Sequence, residues 1–223
     1  MDYTQWARSN RKRIAREFIR NIDHIASDEP SGIFTAGLPG AGKTEFTIEL
    51  IKNIEPKPLR IDMDEIAKKI EGYKPKIADK FRGGASIIVS RIYDETVKNH
   101  INFVFDGTFS SAGSLDNLER AIKHGYKIKL YYIHQSPLIA WQFTKDRELL
   151  EHRSIEISGF KDTYFKLENN LRELCKKHKD VTISLVIKDE NNKVGQLIEN
   201  VDQNLFDKLP AFLTPQELDS VII

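Results

Sequence analysis

The chain has 223 residues, 40% of them apolar and 30% charged, enough to bury one core under a soluble surface. Lys plus Arg (34) nearly balances Asp plus Glu (33), which argues against long nucleic acid or an anionic membrane as a partner of the whole molecule. The one cysteine, Cys175, excludes an internal disulfide framework and a cysteine-based zinc cluster, and no apolar run approaches the ~18 residues of a membrane span.

From the N-terminus, Arg8, Arg11, Lys12, Arg13, Arg16 and Arg20 face a single acid, Glu17, while Ile14, Phe18, Ile22 and Ile25 recur at helical spacing. Residues 3–25 or so therefore read as an amphipathic helix with a basic face, either a solvated surface or a site for an anionic partner. No apolar segment of a secretory leader follows, so the expectation is a cytoplasmic, intracellular protein. Short apolar runs at 33–36, 59–61, 103–105, 128–133 and 183–187 then alternate with helical patterns, without internal repeats. Ala85, Ile88, Val89, Ile92 and Tyr93 mark one helical stripe. Ser136-Pro137 opens another helix, and Thr214-Pro215-Gln216-Glu217 adds a capping box to a third. The expected fold is a single α/β domain, a three-layer α/β/α arrangement with a mostly parallel five-stranded sheet, ending in a helical extension from about 190 to 223. Ligands of such sheets bind beyond the carboxyl ends of the strands.

The residues after the first run, Gly37, Leu38, Pro39, Gly40, Ala41, Gly42, Lys43 and Thr44, form a complete G-x-x-x-x-G-K-[ST] between a strand and a helix. Glycines let backbone N–H groups turn inward onto phosphate oxygens, and the following helix aims its positive end at the same anion. Lys43 would reach the β- and γ-phosphates, and the Thr44 hydroxyl would ligate Mg²⁺. After the second run, Asp62 and Asp64 stand two residues apart, suited either to activating an acceptor hydroxyl or to a helix N-terminus. The third run ends in Asp106-Gly107-Thr108, where an aspartate can hold the magnesium shell or serve as a turn residue. Glycine after Asp106, in place of glutamate, counts against a mechanochemical hydrolase. Beyond the fourth run, Arg147 and Arg153 lie in a candidate lid, as charge-stabilising groups or as surface partners of Glu148 or Glu151.

Gly37 to Thr44, Ile61-Asp62-Met63-Asp64, Asp106-Gly107-Thr108, and Ala140-Trp141 with Thr144, Arg147-Glu148 and Arg153 resemble, in order and spacing, the zeta-toxin family of P-loop kinases. The resemblance runs from about Phe34 to Lys188. It implies a P-loop kinase-like fold using ATP or GTP with Mg²⁺ to phosphorylate the sugar 3′-hydroxyl of UDP-N-acetylglucosamine, restrained by a cognate antitoxin. By position it makes Lys43 the phosphate lysine, Asp64 the acceptor-activating carboxylate and Arg147 with Arg153 the charge-stabilising pair. Thr108 contacts the acceptor, Asp106 and Thr44 flank the metal, and the segment carrying Arg82 holds the nucleotide sugar. Gly83-Gly84 there is either room for a ligand or a helix break. Three departures concern the acceptor: Asp106 where many members carry Glu, Ser110 and Ser111 where a basic residue often follows, and a closer spacing of the two arginines.

The six histidines lack metal-ligand spacing. Cys175 lies on a helical stripe with Leu167, Leu171 and Leu174 and reads as a core-edge thiol; Trp6 and Trp141 read as packing anchors. Two alternatives to a sugar-nucleotide kinase stay open. One is a P-loop kinase for a nucleotide, a nucleic-acid end or an antibiotic hydroxyl. The other is a nucleotide-gated binding module without transfer.

Overall fold

The computed structural model describes residues 2–20, 26–151 and 155–222. In chain order the elements are α1 (Tyr3–Arg20), β1 (Ser31–Ala36), α2 (Lys43–Lys52), β2 (Leu59–Asp62), α3 (Met63–Ala67), a 3-10 segment (Pro75–Phe81), α4 (Arg82–Lys98), β3 (Phe103–Asp106) and α5 (Gly113–Lys123). They continue as β4 (Lys127–His134), α6 (Pro137–Glu151), α7 (Ile157–Lys177), β5 (Thr182–Lys188), β6 (Val194–Ile198), a second 3-10 segment (Asp202–Lys208) and α8 (Pro215–Val221).

The strands form one sheet in the order β2-β3-β1-β4-β5-β6, parallel from β2 to β5. Parallel strands need helical crossovers, so both sheet faces are covered and the central strands read as nearly continuous apolar runs. Phe34 of β1 meets Phe103 edge-on at 5.5 Å and stacks on Phe105 at 5.7 Å, and Tyr93 of α4 closes the cluster against both phenylalanines of β3. Placing β1 at the centre puts the loops after β1, β2 and β3 side by side at one end of the sheet.

The sheet has six strands where five are legible from the sequence. β6 pairs antiparallel with the edge of β5, Val186 opposite Leu197, and lies within the stretch from 190 expected to be helical. Its residues are almost all exposed, so nothing compels an alternating apolar pattern. A turn made by Asp189 forms the hairpin: its carboxylate accepts from the backbone N–H of Asn191 at 2.9 Å and Lys193 at 2.8 Å, with Asn192 at φ 61°. The rest of the C-terminal extension ends in α8, whose capping box joins Thr214 to Glu217 as expected.

α1 packs on α4, burying Ala7, Ile14 and Ala15 while Arg8, Arg11, Lys12, Arg13, Arg16 and Arg20 stay exposed. Residues 21–25, with Ile22 and Ile25, lie outside the described residues. The glycine pair at 83–84 is neither a helix break nor an opening. Both residues lie in the first turn of α4, and a Cβ on Gly84 would come within 2.9 Å of the Tyr3 carbonyl. The missing side chain is what lets α1 approach. Trp6 packs beside this contact and donates to Glu71 at 3.1 Å, and Trp141 meets Phe160 edge-on at 5.2 Å. Cys175 is half-buried, and burial holds its thiol above the ordinary range.

Candidate active site

The loop between β1 and α2 wraps toward a cavity of about 250 Å³ whose wall includes Pro39, Gly40, Lys43 and Thr44. The Gly37 N–H donates to the Thr108 carbonyl at 3.2 Å, tying this loop to the turn after β3. Gly42 precedes α2 at φ 77° and ψ 30°, a left-handed conformation that admits glycine at little cost. Lys43 folds back so that its ammonium donates to the Leu38 carbonyl at 2.6 Å, bridging its own loop. Withdrawal from water pulls that ammonium down to about 8. The Asp106 carboxylate opposes the fall, Arg147 adds to it, and Glu45 and Asp64 oppose it more weakly.

The two acids after β2 have different surroundings. Asp64 is exposed and lines the cavity together with Thr44 and Arg147. Asp62 is buried, caps α3 by accepting from the Asp64 N–H at 2.8 Å, and is ion-paired with Arg60. In register, Asp62 sits directly beside Asp106 on the neighbouring strand, so two carboxylates meet at the sheet's end. Arg60 resolves the repulsion. It also donates to Asp106 Oδ2 through Nε at 3.1 Å and Nη2 at 2.8 Å. Burial and the Asp106 charge hold Asp62 above the usual carboxylate range, against the pull of Arg60. Asp106 is buried with its Oδ2 committed, and Thr35 of β1 fixes the turn that follows: its hydroxyl donates to the Gly107 carbonyl at 3.0 Å and accepts from the Gly107 N–H at 2.9 Å.

Thr108 and Arg82 border both this cavity and a broader adjoining cleft that runs toward Ser110, Ser111 and α7. The Thr108 and Ser110 hydroxyls are 2.6 Å apart, and Arg82 lies 3.6 Å from Asp79. Phe109 holds φ 59°, a strained backbone for an aromatic residue, and is anchored by burial against Phe34 and by Asn170 of α7, which donates to the Phe109 carbonyl at 2.8 Å. From α6, Arg147 reaches the cavity and approaches Glu45 at 3.9 Å. Arg153 lies outside the described residues.

Lys43, Thr44, Asp64, Asp106, Thr108, Arg82 and Arg147 thus share one cavity. Arg60, Thr35 and Asn170 are absent from the sequence expectations. Asn170 is a long-range contact without a motif. For Arg60 the sequence holds only half of the signal, the i and i+2 spacing that puts it on one strand face with Asp62; the second carboxylate enters when β2 pairs with β3. Among the described residues no cluster of three or more His, Cys, Asp or Glu is gathered to hold a metal ion. The oxygen donors at the cavity, Thr44 and Asp106, are the hard, sparse set that suits a magnesium ion sharing its shell with phosphate oxygens. No helix among the described residues is long and apolar enough to cross a membrane.

A search of curated proteins returns no match. Among solved structures, the chain superposes on one from the PezAT chromosomal toxin–antitoxin system of Streptococcus pneumoniae with a TM-score of 0.70 and 16% identity, covering 96% of this chain and 93% of that one. An AvrRxo1-ORF1:AvrRxo1-ORF2 complex gives 0.60 at 14% identity, over 96% and 71% of the two chains. A Pnkp1/Rnl/Hen1 RNA repair complex gives 0.52 at 16% identity, over 66% and 47%. The family profile described as Zeta toxin matches residues 17–201, and the chain belongs to the zeta-toxin family.

Proposed function

We propose that the protein is a phosphotransferase that moves the γ-phosphate of ATP or GTP to the 3′-hydroxyl of UDP-N-acetylglucosamine, as the toxin of a toxin–antitoxin pair. The observation that carries the reading is the convergence of Lys43, Thr44, Asp64 and Arg147 on one cavity behind a complete phosphate loop. Family membership supports the donor and the reaction type.

In this mechanism residues 37–44 bind the donor's phosphates through inward N–H groups, and Lys43 leaves the Leu38 carbonyl for the β- and γ-phosphate oxygens. Thr44 and Asp106 would hold a Mg²⁺, which when bound would neutralise phosphate charge and orient the terminal group. The acceptor sugar lies against Asp64 and Thr108, with its nucleotide part toward Arg82 and the adjoining cleft. Its hydroxyl proton passes to Asp64 as the oxygen attacks the γ-phosphorus. The new O–P bond forms while the bond to the β-phosphate oxygen breaks, and the nucleoside diphosphate leaves. Arg147 with Arg153 stabilises the charge spread over the transferring group.

Incubation with labelled ATP and a panel of UDP-sugars tests the assignment. Label is expected on UDP-N-acetylglucosamine, at the 3′-hydroxyl. Label on a different alcohol would reassign the acceptor, and release of free phosphate alone would overturn the transferase.

The depressed Lys43 ammonium makes donor binding pH-dependent. A phosphate beside Lys43 raises its proton affinity, so binding takes up a proton wherever the free lysine is neutral. Affinity is therefore complete below pH 8 and falls above it, by about tenfold per pH unit until the bound-state value is reached. Charged groups from four neighbouring elements set the starting point: Asp106 from β3, Arg147 from α6, Glu45 from α2 and Asp64 from α3. Calorimetric titration of Mg-ADP between pH 7 and 10 is expected to show this decline, and Lys43→Met to flatten it.

A further inference from the structure

Behind the phosphate loop, on the side away from Asp64 and Asp106, the β5–β6 hairpin is fastened to the loop backbone. The buried Gln135, just after β4, donates its amide to the Asp189 carbonyl at 2.8 Å and to Asn192 Oδ1 at 3.3 Å. Its own carbonyl accepts from the Ser136 N–H at 2.8 Å. Asn192 in turn donates to the Gly40 carbonyl at 3.0 Å. One side-chain network thus holds the end of β5 at a fixed distance from residues 40–42.

Lys188, the last residue of β5, is brought into that seam with only 8% of its surface exposed. A Cβ on Gly42 would meet Lys188 Cε at 3.0 Å and its ammonium at 3.1 Å, so the charge rests against the loop backbone. Among the described residues the ammonium makes neither a hydrogen bond nor an ion pair; Glu45 and Asp189 act on it only at longer range. Burial lowers its proton affinity, as expected for a cation partly withdrawn from water without a partner. Retaining such a charge costs stability unless something anionic arrives to meet it. Lysines at surface positions escape that cost by extending fully into water, whereas the end of the Lys188 side chain lies against Gly42.

We infer that Lys188 is a second phosphate-binding cation of the site, contacting the donor nucleotide's α-phosphate from the side opposite Lys43, with the Gln135–Asn192 network as its support. The inference rests on the donor-nucleotide reading above. The assignment to the nucleoside end follows from direction. Lys43 faces the acceptor side with Asp64 and Asp106, where the β- and γ-phosphates belong. Lys188 lies across Gly42 toward Glu45, the first residue after the loop motif, where loop amides receive the α- and β-phosphates.

Titration of the full chain with Mg-ADP and with a non-hydrolysable Mg-ATP analogue, combined with thermal melting, tests it. Lys188→Met is expected to weaken both ligands by the same factor, about tenfold or more, because both carry the α-phosphate and a charge-assisted hydrogen bond is lost. The ligand-free melting temperature should hold or rise, since an unpaired charge partly withdrawn from water has been removed, while the ADP-induced rise shrinks. Lys188→Gln, which keeps a polar tip and loses the charge, should show the same loss of affinity. Wild-type ADP affinity in either variant would overturn the inference, as would a loss confined to the ATP analogue. Failure of the wild-type protein to bind ADP at all would overturn the donor reading and this inference together; binding that is indifferent to Lys188 would overturn this inference alone.

Discussion

Arg147→Ala is expected to lower the turnover number for phosphoryl transfer by about 10³-fold or more, with a much smaller change in the dissociation constant of Mg-ADP. The expectation comes from where the guanidinium sits. Arg147 projects from α6 into the cavity that holds Lys43 and Thr44, close enough to depress the Lys43 ammonium. Two cations brought together in this way destabilise each other until an anion lies between them, and the anion that grows during the reaction is the transferring phosphoryl group. Interactions stronger in the transition state than in the bound ground state act on turnover rather than on affinity. Glu45, 3.9 Å away on α2, keeps the side chain near the loop and would partly restrain it before the donor binds. Rapid-quench measurement of single turnovers beside calorimetric ADP titration separates the two quantities. Turnover within tenfold of wild type would remove Arg147 from the reaction and leave it a surface partner of Glu45. Arg147→Lys should recover only part of the loss, because a point charge replaces a planar fork.

How much of this arrangement could be foreseen depends on whether the cause is local. Residues 37–44 announce themselves because a tight left-handed turn, a cation and a hydroxyl must occur at fixed spacing for a strand to deliver a phosphate to a helix. The five parallel strands were legible for a similar reason. The central ones are buried on both faces and read as apolar runs such as Phe103-Val104-Phe105. β6 was not, because an exposed edge strand places almost no demand on its side chains. Its only strong trace is the turn chemistry of Asp189 and Asn192. Arg60 went unrecognised because its significance depends on a register, Asp62 beside Asp106, that exists only once β2 and β3 pair. Gly84 is ambiguous in the sequence because a glycine at a helix start can mark a break or a contact, and only the position of α1 decides between them. Lys188 satisfies the rule that functional groups lie at the carboxyl ends of parallel strands, yet a lone lysine closing an apolar run carries no motif.

Asp64→Asn is expected to reduce turnover by about 10²–10⁴-fold while leaving the acceptor's KM within a few-fold, since asparagine can still hydrogen-bond the hydroxyl and cannot take its proton. The pair Asp62 and Asp64 offers an internal control, because the fold has given adjacent carboxylates different tasks. Asp62 is buried, pinned by Arg60 and spent on capping α3, so its side chain cannot turn to a substrate without abandoning both contacts. Asp64 stands exposed on the cavity wall, its backbone fixed by that same cap. Asp62→Ala should therefore register first in thermal stability, at about 1 kcal/mol for the lost cap, and reach activity only through a loosened α3. Asp64→Asn should register in turnover with the melting temperature unchanged. Parallel melting curves and steady-state kinetics on the two variants distinguish these outcomes. If the roles came out reversed, with Asp62 controlling turnover and Asp64 silent, the proton acceptor would have to lie among the Arg60-bridged carboxylates, and the acceptor hydroxyl would have to approach along the end of the sheet.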